Sequence, residues 1–294
     1  MQQIQREQLR PEQIEHYRQL LPPLYRYFLE ESQSSSSAEK LLFGDEHTIA
    51  CVLCDPNTQR AEIQYIGFAP KHLNHNALST CLETICKSMR SKGYTFLAIM
   101  FDTTSKVAEP LQQILQHSGW STARPFMLRC HFDCFTFNPP WFKRPYRLPK
   151  GYTIIPWSEI TEKEKSKIDY FNEQGRIHYT VYPYRSPNSI QQQNSVALRY
   201  NNDLIGWMVT HTLPALPDTV RYSSFYIEDD YRSFGHSVVL LIESIRRQQQ
   251  SSLRWSYLEV NYLAADIQWI KFVERRLVPY TIDIERISSS ILKL

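Results

Sequence analysis

One helical face constrains this chain more than any other feature. In LSTCLETICKSM, Leu78, Leu82, Ile85 and Met89 recur at three- and four-residue spacing, and a matching face returns in VVLLIESIRR. Setting Glu83 against Glu243, 160 positions on, also sets Leu78 against Val238, Leu82 against Ile242 and Ile85 against Ile245. The elements around the two helices keep one order. The first half reads as strands in TIACVLC and AEIQYIGFA, the helix, a strand in FLAIMF, a helix in AEPLQQILQHSG and a strand in STARPFMLRCHF. The second reads as strands in SVALRY, DLIGWMVTHTL and RYSSFYIE, the helix, a strand in RWSYLEV, a helix in DIQWIKFVERRL and a strand in PYTIDIER. Strands and helices alternating across short connections predict an α/β protein with mixed α+β sheets, and the repeat predicts a tandem of two similar folds.

A chain of 294 residues can bury a separate core in each of two domains of about 150. IEHYRQLLPPLYRYFLEE predicts an opening helix, and SQSSSS a polar interruption after it. Midway, FNPPWFKRPYRLPKG carries four prolines among aromatic and basic residues, which predicts an extended connector packed on the surface. The expected division is a first domain over 1–137, a connector over 138–150 and a second domain over 151–294.

A formal net charge of +3 is too small to argue for a nucleic-acid partner. No apolar run reaches the roughly 18 residues of a membrane span, and MQQIQREQLRPEQ lacks the apolar core of a signal peptide, so a soluble cytoplasmic protein is expected, monomeric or homodimeric. The six cysteines are Cys51, Cys54, Cys81, Cys86, Cys130 and Cys134. Cys51 and Cys54 have half the spacing of a metal knuckle, but strand alternation sends them to opposite faces. No compact ligand set completes them, so buried free thiols and no metal are expected.

The turn YRSFGHS leads straight into the second apolar helix. Glycine at 235 permits backbone angles and close approaches that a side chain would block, and the first turn of a helix presents unpaired amide donors. Such a turn can hold an anion, helped by the helix dipole. As an ordinary strand-to-helix turn, Gly235 would only relieve strain and Arg232 would be solvated. With its surroundings the stretch resembles the GCN5-related N-acetyltransferases (GNATs), which follow their fourth strand with Arg or Gln, two residues, Gly, one residue, then Gly or Ala. Arg232, Gly235 and Ser237 fill those places, Ser237 departing in the last. The resemblance implies two tandem GNAT-like acyl-CoA N-acyltransferase domains, with acetyl-CoA as acyl donor. Its pyrophosphate would lie on the amides of Arg232, Ser233, Phe234, Gly235, His236 and Ser237. Its pantetheine would run beside Tyr226, Ile227 and Glu228 and meet Asn261. The first-half counterpart, APKHLNHNAL, offers His72, His75 and Ala77 in one register and Leu73, Asn76 and Leu78 in the next, with no central glycine in either, so the first domain is expected to be a degenerate copy.

Direct attack of an amine on the thioester needs a proton acceptor, and an acid assists the departing thiolate. Glu228, at the end of the cofactor-side strand, is the positional candidate for the base; the alternative is a solvent-facing acid before EDD. The family's usual tyrosine acid is absent from LEVNYLAADIQWIKFVERRL, where Gln268 and Trp269 stand in its neighbourhood, and the usual Gly-Phe after this helix is missing too. Indole is no thiolate acid, which leaves Tyr262 or Tyr226 to substitute. In QGRIHYTVYPYRSP, the candidates to line an acceptor channel are His178, Tyr179, Tyr182 and Tyr184, with packing as the alternative. The expected activity is acetyl transfer to a primary amine of a small-molecule or amino-acid-like acceptor; the rival is a noncatalytic CoA-binding or structural protein on the same fold.

Overall fold

The computed structural model describes residues 1–30, 38–232 and 235–294. The expected polar interruption SQSSSS lies outside the described residues. Two compact units divide the chain: Met1–Phe126 with Glu285–Leu294, and Met127–Ile284.

In the first unit the strands are β1 (Gln2–Ile4), β2 (Glu39–Gly44), β3 (Thr48–Asp55), β4 (Arg60–Phe68), β5 (Phe96–Asp102) and most of the last strand of the chain, β12 (Asp283–Lys293), in the order β1-β2-β3-β4-β5-β12. The helices are α1 (Pro11–Leu20), α2 (His75–Ser91) and α3 (Ala108–His117). The expected opening helix stops at Leu20, because Pro22 disfavours helical angles at Leu21, which is extended at φ −104°, ψ 127°. The amphipathic period of α2 buries Leu78, Cys81, Leu82, Ile85, Cys86 and Met89, which share a core with Leu111 and Ile114 of α3. Cys54 joins that core and Cys51 a second one under Tyr17, Leu21 and Phe28, as alternation along β3 requires. All six cysteines are buried free thiols.

The second unit orders its strands β6 (Arg124–Asp133, from Met127), β11 (Trp255–Asn261), β10 (Leu216–Ile227), β9 (Asp203–Leu213), β8 (Val196–Tyr200) and β7 (Tyr152–Pro156). One face packs under α5 (His236–Gln248), through Leu240, Leu241, Ile242 and Ile245. On another core, Ile168 and Phe171 of α4 (Glu162–Glu173) meet Trp157 and Trp207. Thr161 starts α4 with a full capping box to Glu164, whose carboxylate also takes a bidentate pair from Arg199.

Three local expectations change. The proline-rich segment is no surface connector, because Trp141 and Phe142 are buried in the second unit's core and Trp141 donates its indole N–H to the Arg276 carbonyl (2.6 Å). Burying two large aromatic rings outweighs the extended bias of the prolines. Consequently the units divide at Met127, inside β6, rather than within 138–150. The expected helix DIQWIKFVERRL shortens to α6 (Ile267–Phe272), followed by a π turn over Val273–Leu277. Finally, the last strand outruns PYTIDIER and belongs mostly to the first unit. Its residues Ile287 to Lys293 pair antiparallel with Asp102 to Phe96 of β5, a pairing between segments about 190 positions apart that no local pattern encodes.

Candidate functional site: the cleft between β10 and β11

β10 and β11 run parallel and pair only from Thr219↔Trp255 to Tyr222↔Leu258. Beyond that they separate. At the same place the β10–β9 register shifts between Tyr222↔Thr210 and Ser224↔Val209, which makes Ser223 an extra residue in its strand. A bulge bends its strand and increases the twist, so the parallel partner is released at the bulge. Phe225 and Trp269 pack at a tilt beyond it, ring centroids 4.5 Å apart. An open cleft results, lined from β10 by Ser223, Phe225, Tyr226 and Ile227 and from β11 by Glu259, Val260 and Asn261.

The released edge of β10 offers backbone donors. Glu228 N donates to Ile205 O on β9 (2.8 Å), so antiparallel alternation turns the peptide groups of Phe225 and Ile227 toward the other edge. The Ile227 carbonyl there accepts from Arg232 Nε (2.9 Å). At the cleft's end, α5 starts at Gly235 with φ +126° and no side-chain cap, and a Cβ at this glycine would meet nothing within 4 Å. Among the described residues no side chain caps the N-terminus of α5, and Arg232 and Ser237 line the same cleft. The corresponding helix of the first unit is closed: Asn74 caps α2 by accepting from Ala77 N (2.9 Å).

A polar group lies deeper. Glu259, on β11 with its side chain 9% exposed, accepts from Arg221 Nε (2.8 Å) and from Arg129 (3.1 and 3.2 Å). Burial pushes its carboxyl up in pKa, but the two guanidiniums outweigh burial and hold it below the usual range. Ser223 Oγ lies 3.2 Å from His211 Nδ1, and His211 Nε2 lies 3.2 Å from the Pro183 carbonyl. Burial drives the His211 pKa down to about 4 against the opposing pull of that carbonyl.

The cleft gathers some of the expected residues. Tyr226, Ile227, Arg232, Ser237, Asn261 and His178 line it. Tyr226 stacks on Trp207 (4.7 Å), and burial raises its pKa. Asn261 spends its side-chain oxygen on Leu263 N (2.8 Å), which leaves its NH₂ for a ligand. His178 bonds Thr180 (2.8 Å), and burial lowers its pKa. Ser233 and Phe234 lie outside the described residues. His236 turns from the cleft to stack on Tyr152 (4.3 Å).

Glu228 is not among the residues lining the cleft; its carboxylate takes Lys167 Nζ at 2.8 Å, with Arg176 at 4.0 Å. Lys167 also donates to Leu204 O, so the pair ties α4 to the sheet. Tyr262 likewise faces elsewhere, its hydroxyl 3.3 Å from Glu274. Among the tyrosines expected to line an acceptor channel, Tyr182 donates to Asp169 (2.7 Å), Tyr184 packs against Trp157 and Tyr179 is exposed. Sequence reasoning missed Ser223, Phe225, His211 and Glu259. Strand alternation places Arg221 and Ser223 two apart, but the bulge and the neighbours on β9 and β11 leave no local signature.

No family model matches this sequence, and no curated protein sequence matches it. Solved structures do. A GCN5-related N-acetyltransferase from Sphaerobacter thermophilus matches with a TM-score of 0.63 at 11% identity, over 90% of this chain and 84% of that one. A tandem GNAT protein from the clavulanic acid biosynthesis pathway, without AcCoA, gives 0.66 at 9%, over 99% and 97%. The fold is a GNAT fold. A GCN5-related N-acetyltransferase from Kribbella flavida matches less closely, at 0.52 and 13%, over 87% of this chain and 89% of that one. On the GNAT fold of this chain, the released edge of β10 and the start of α5 border a single cleft.

Proposed function

We propose that the chain is an acyl-CoA-dependent N-acyltransferase that moves acetyl from acetyl-CoA to a primary amine of a small-molecule or amino-acid-like acceptor, on a tandem of GNAT-like domains. The observation that carries this reading is that the start of α5, flanked by Arg232 and Ser237 and without a side-chain cap among the described residues, borders the same cleft as the released edge of β10. The helix end supplies donors and a favourable dipole for a pyrophosphate. The peptide groups of Phe225 and Ile227 run alongside as partners for the amides of a pantetheine arm, and the Asn261 NH₂ reaches it from β11. In the first unit Asn74 already fills the helix end, which makes that unit the degenerate member.

Trp269 favours a second reading. It fills the neighbourhood of the family's usual tyrosine acid and packs against Phe225, as a CoA-binding protein without turnover would allow. Released CoA across an amine panel separates the two readings. For the first, calorimetric titration with acetyl-CoA is expected to give one site per chain, and Gly235→Val to weaken binding at least tenfold with the far-ultraviolet circular dichroism unchanged. A β-branched residue at φ +126° is strained and puts its side chain on the anion's path. Two equivalent sites, or wild-type affinity in the variant, contradict the assignment.

A further inference from the structure

The geometry points to Ser223 and His211 as a two-member proton relay that accepts the proton of the attacking amine. This rests on the acyl-transfer reading. The hydrogen-bond pattern fixes the direction of the relay. A carbonyl oxygen only accepts, so His211 Nε2 carries the ring proton and donates it to Pro183 O. In the neutral ring Nδ1 is then an acceptor, and the Ser223 hydroxyl donates to it. With its own proton turned to His211, Ser223 Oγ has only lone pairs left for the cleft that it lines. It receives an N–H. A nucleophile-side hydroxyl, a base within 3.2 Å and a third group that orients the base form the arrangement that moves protons in acyl transfer.

The step balances. The amine nitrogen forms a bond to the thioester carbon, its N–H proton passes to Ser223 Oγ, and the serine proton passes to His211 Nδ1. The C–S bond then breaks with its electron pair on sulfur, and the imidazolium proton returns through Ser223 to the thiolate. His211 faces Ser223 and Arg221 on β10, Glu259 on β11 and Arg185 in the turn after Pro183. Arg221 and Arg185 oppose its charging and Glu259 favours it. Burial, which holds its pKa near 4, leaves the resting ring neutral throughout the neutral range and makes its imidazolium quick to return the proton.

Ring nitrogen shifts of ¹⁵N-histidine-labelled full-length protein, assigned with His211→Gln, test the relay without turnover. The expected result is a neutral, Nε2-protonated ring at neutral pH whose Nδ1 signal moves in Ser223→Ala; an Nδ1-protonated or charged ring overturns the proposal. Kinetics supply the second arm, with acetyl-CoA affinity measured on the same samples. Ser223→Ala and His211→Gln are expected to keep acetyl-CoA affinity within about twofold and to lose about 10²-fold in kcat for CoA release, with Ser223→Thr recovering most of it. Full kcat in Ser223→Ala, or a loss confined to acetyl-CoA affinity, overturns the relay and leaves the functional reading standing. Wild-type protein that binds no acetyl-CoA, or binds it and turns over no amine, overturns the transfer reading and the relay with it.

Discussion

At the scale of single residues, His211 carries a cost that shows as a pH dependence. Its folded-state pKa of about 4 lies below the ordinary histidine value of about 6.5, so the unfolded chain binds the proton more readily. The stability held by the neutral ring is fully present above pH about 6.5 and is lost as pH falls toward the folded value, by up to roughly 3 kcal/mol. Urea unfolding of wild type is therefore expected to weaken more steeply between pH about 6.5 and 4.5 than that of His211→Gln. Parallel curves would mean that the ring charges freely in the folded protein. Glu259 illustrates the opposite balance: two arginines keep a largely desolvated carboxylate ionised, an arrangement that loses several kcal/mol when one partner is removed.

At the scale of elements, the two helix starts that follow the central strands differ in their caps. Asn74 caps α2, whereas no side chain among the described residues caps α5 at Gly235. A side-chain cap is worth about 1 kcal/mol, so Asn74→Ala is expected to lower stability in chemical denaturation by about that amount. On the proposed reading, calorimetry should give an unchanged acetyl-CoA affinity. A changed affinity would make α2 part of a ligand site. The bulge has an equivalent as well: the β3–β4 register shifts between Cys51↔Tyr65 and Val52↔Ile63, and β4 pairs with β5 only from Arg60↔Phe96 to Ile63↔Ile99. Both units thus bend their central strand just where its parallel partner is released. In the first, Tyr25 stacks on Tyr65 of β4, and a Cβ at Gly67 would lie 2.7 Å from the Leu20 carbonyl, so α1 closes tightly on that strand.

At the scale of the whole molecule, the last ten residues complete the first unit. Without β12, β5 would become an unpaired edge next to the core that Leu292 enters. Removing residues 285–294 is expected to lower the melting temperature and raise aggregation on heating, measured by scanning calorimetry and light scattering. A truncated chain that melts like the full one would show the strand to be dispensable.

The amphipathic faces of α2 and α5, the strand alternation and the need for glycine at 235 were legible in the sequence, because each is set by neighbours within a turn or two of chain. So was the alternation of strands and helices that builds the mixed sheet. Tertiary structure decided what the chain cannot state locally. The Trp141 and Phe142 rings find a core, Glu228 is drawn to Lys167, and the last strand returns to β5. Ser223 meets His211 only because a one-residue bulge sets the register between two strands, and Glu259 meets its arginines only because β6, β10 and β11 lie side by side. Periodicity tells a side chain which face it takes; its partner across the sheet is fixed by pairing, which depends on the whole fold.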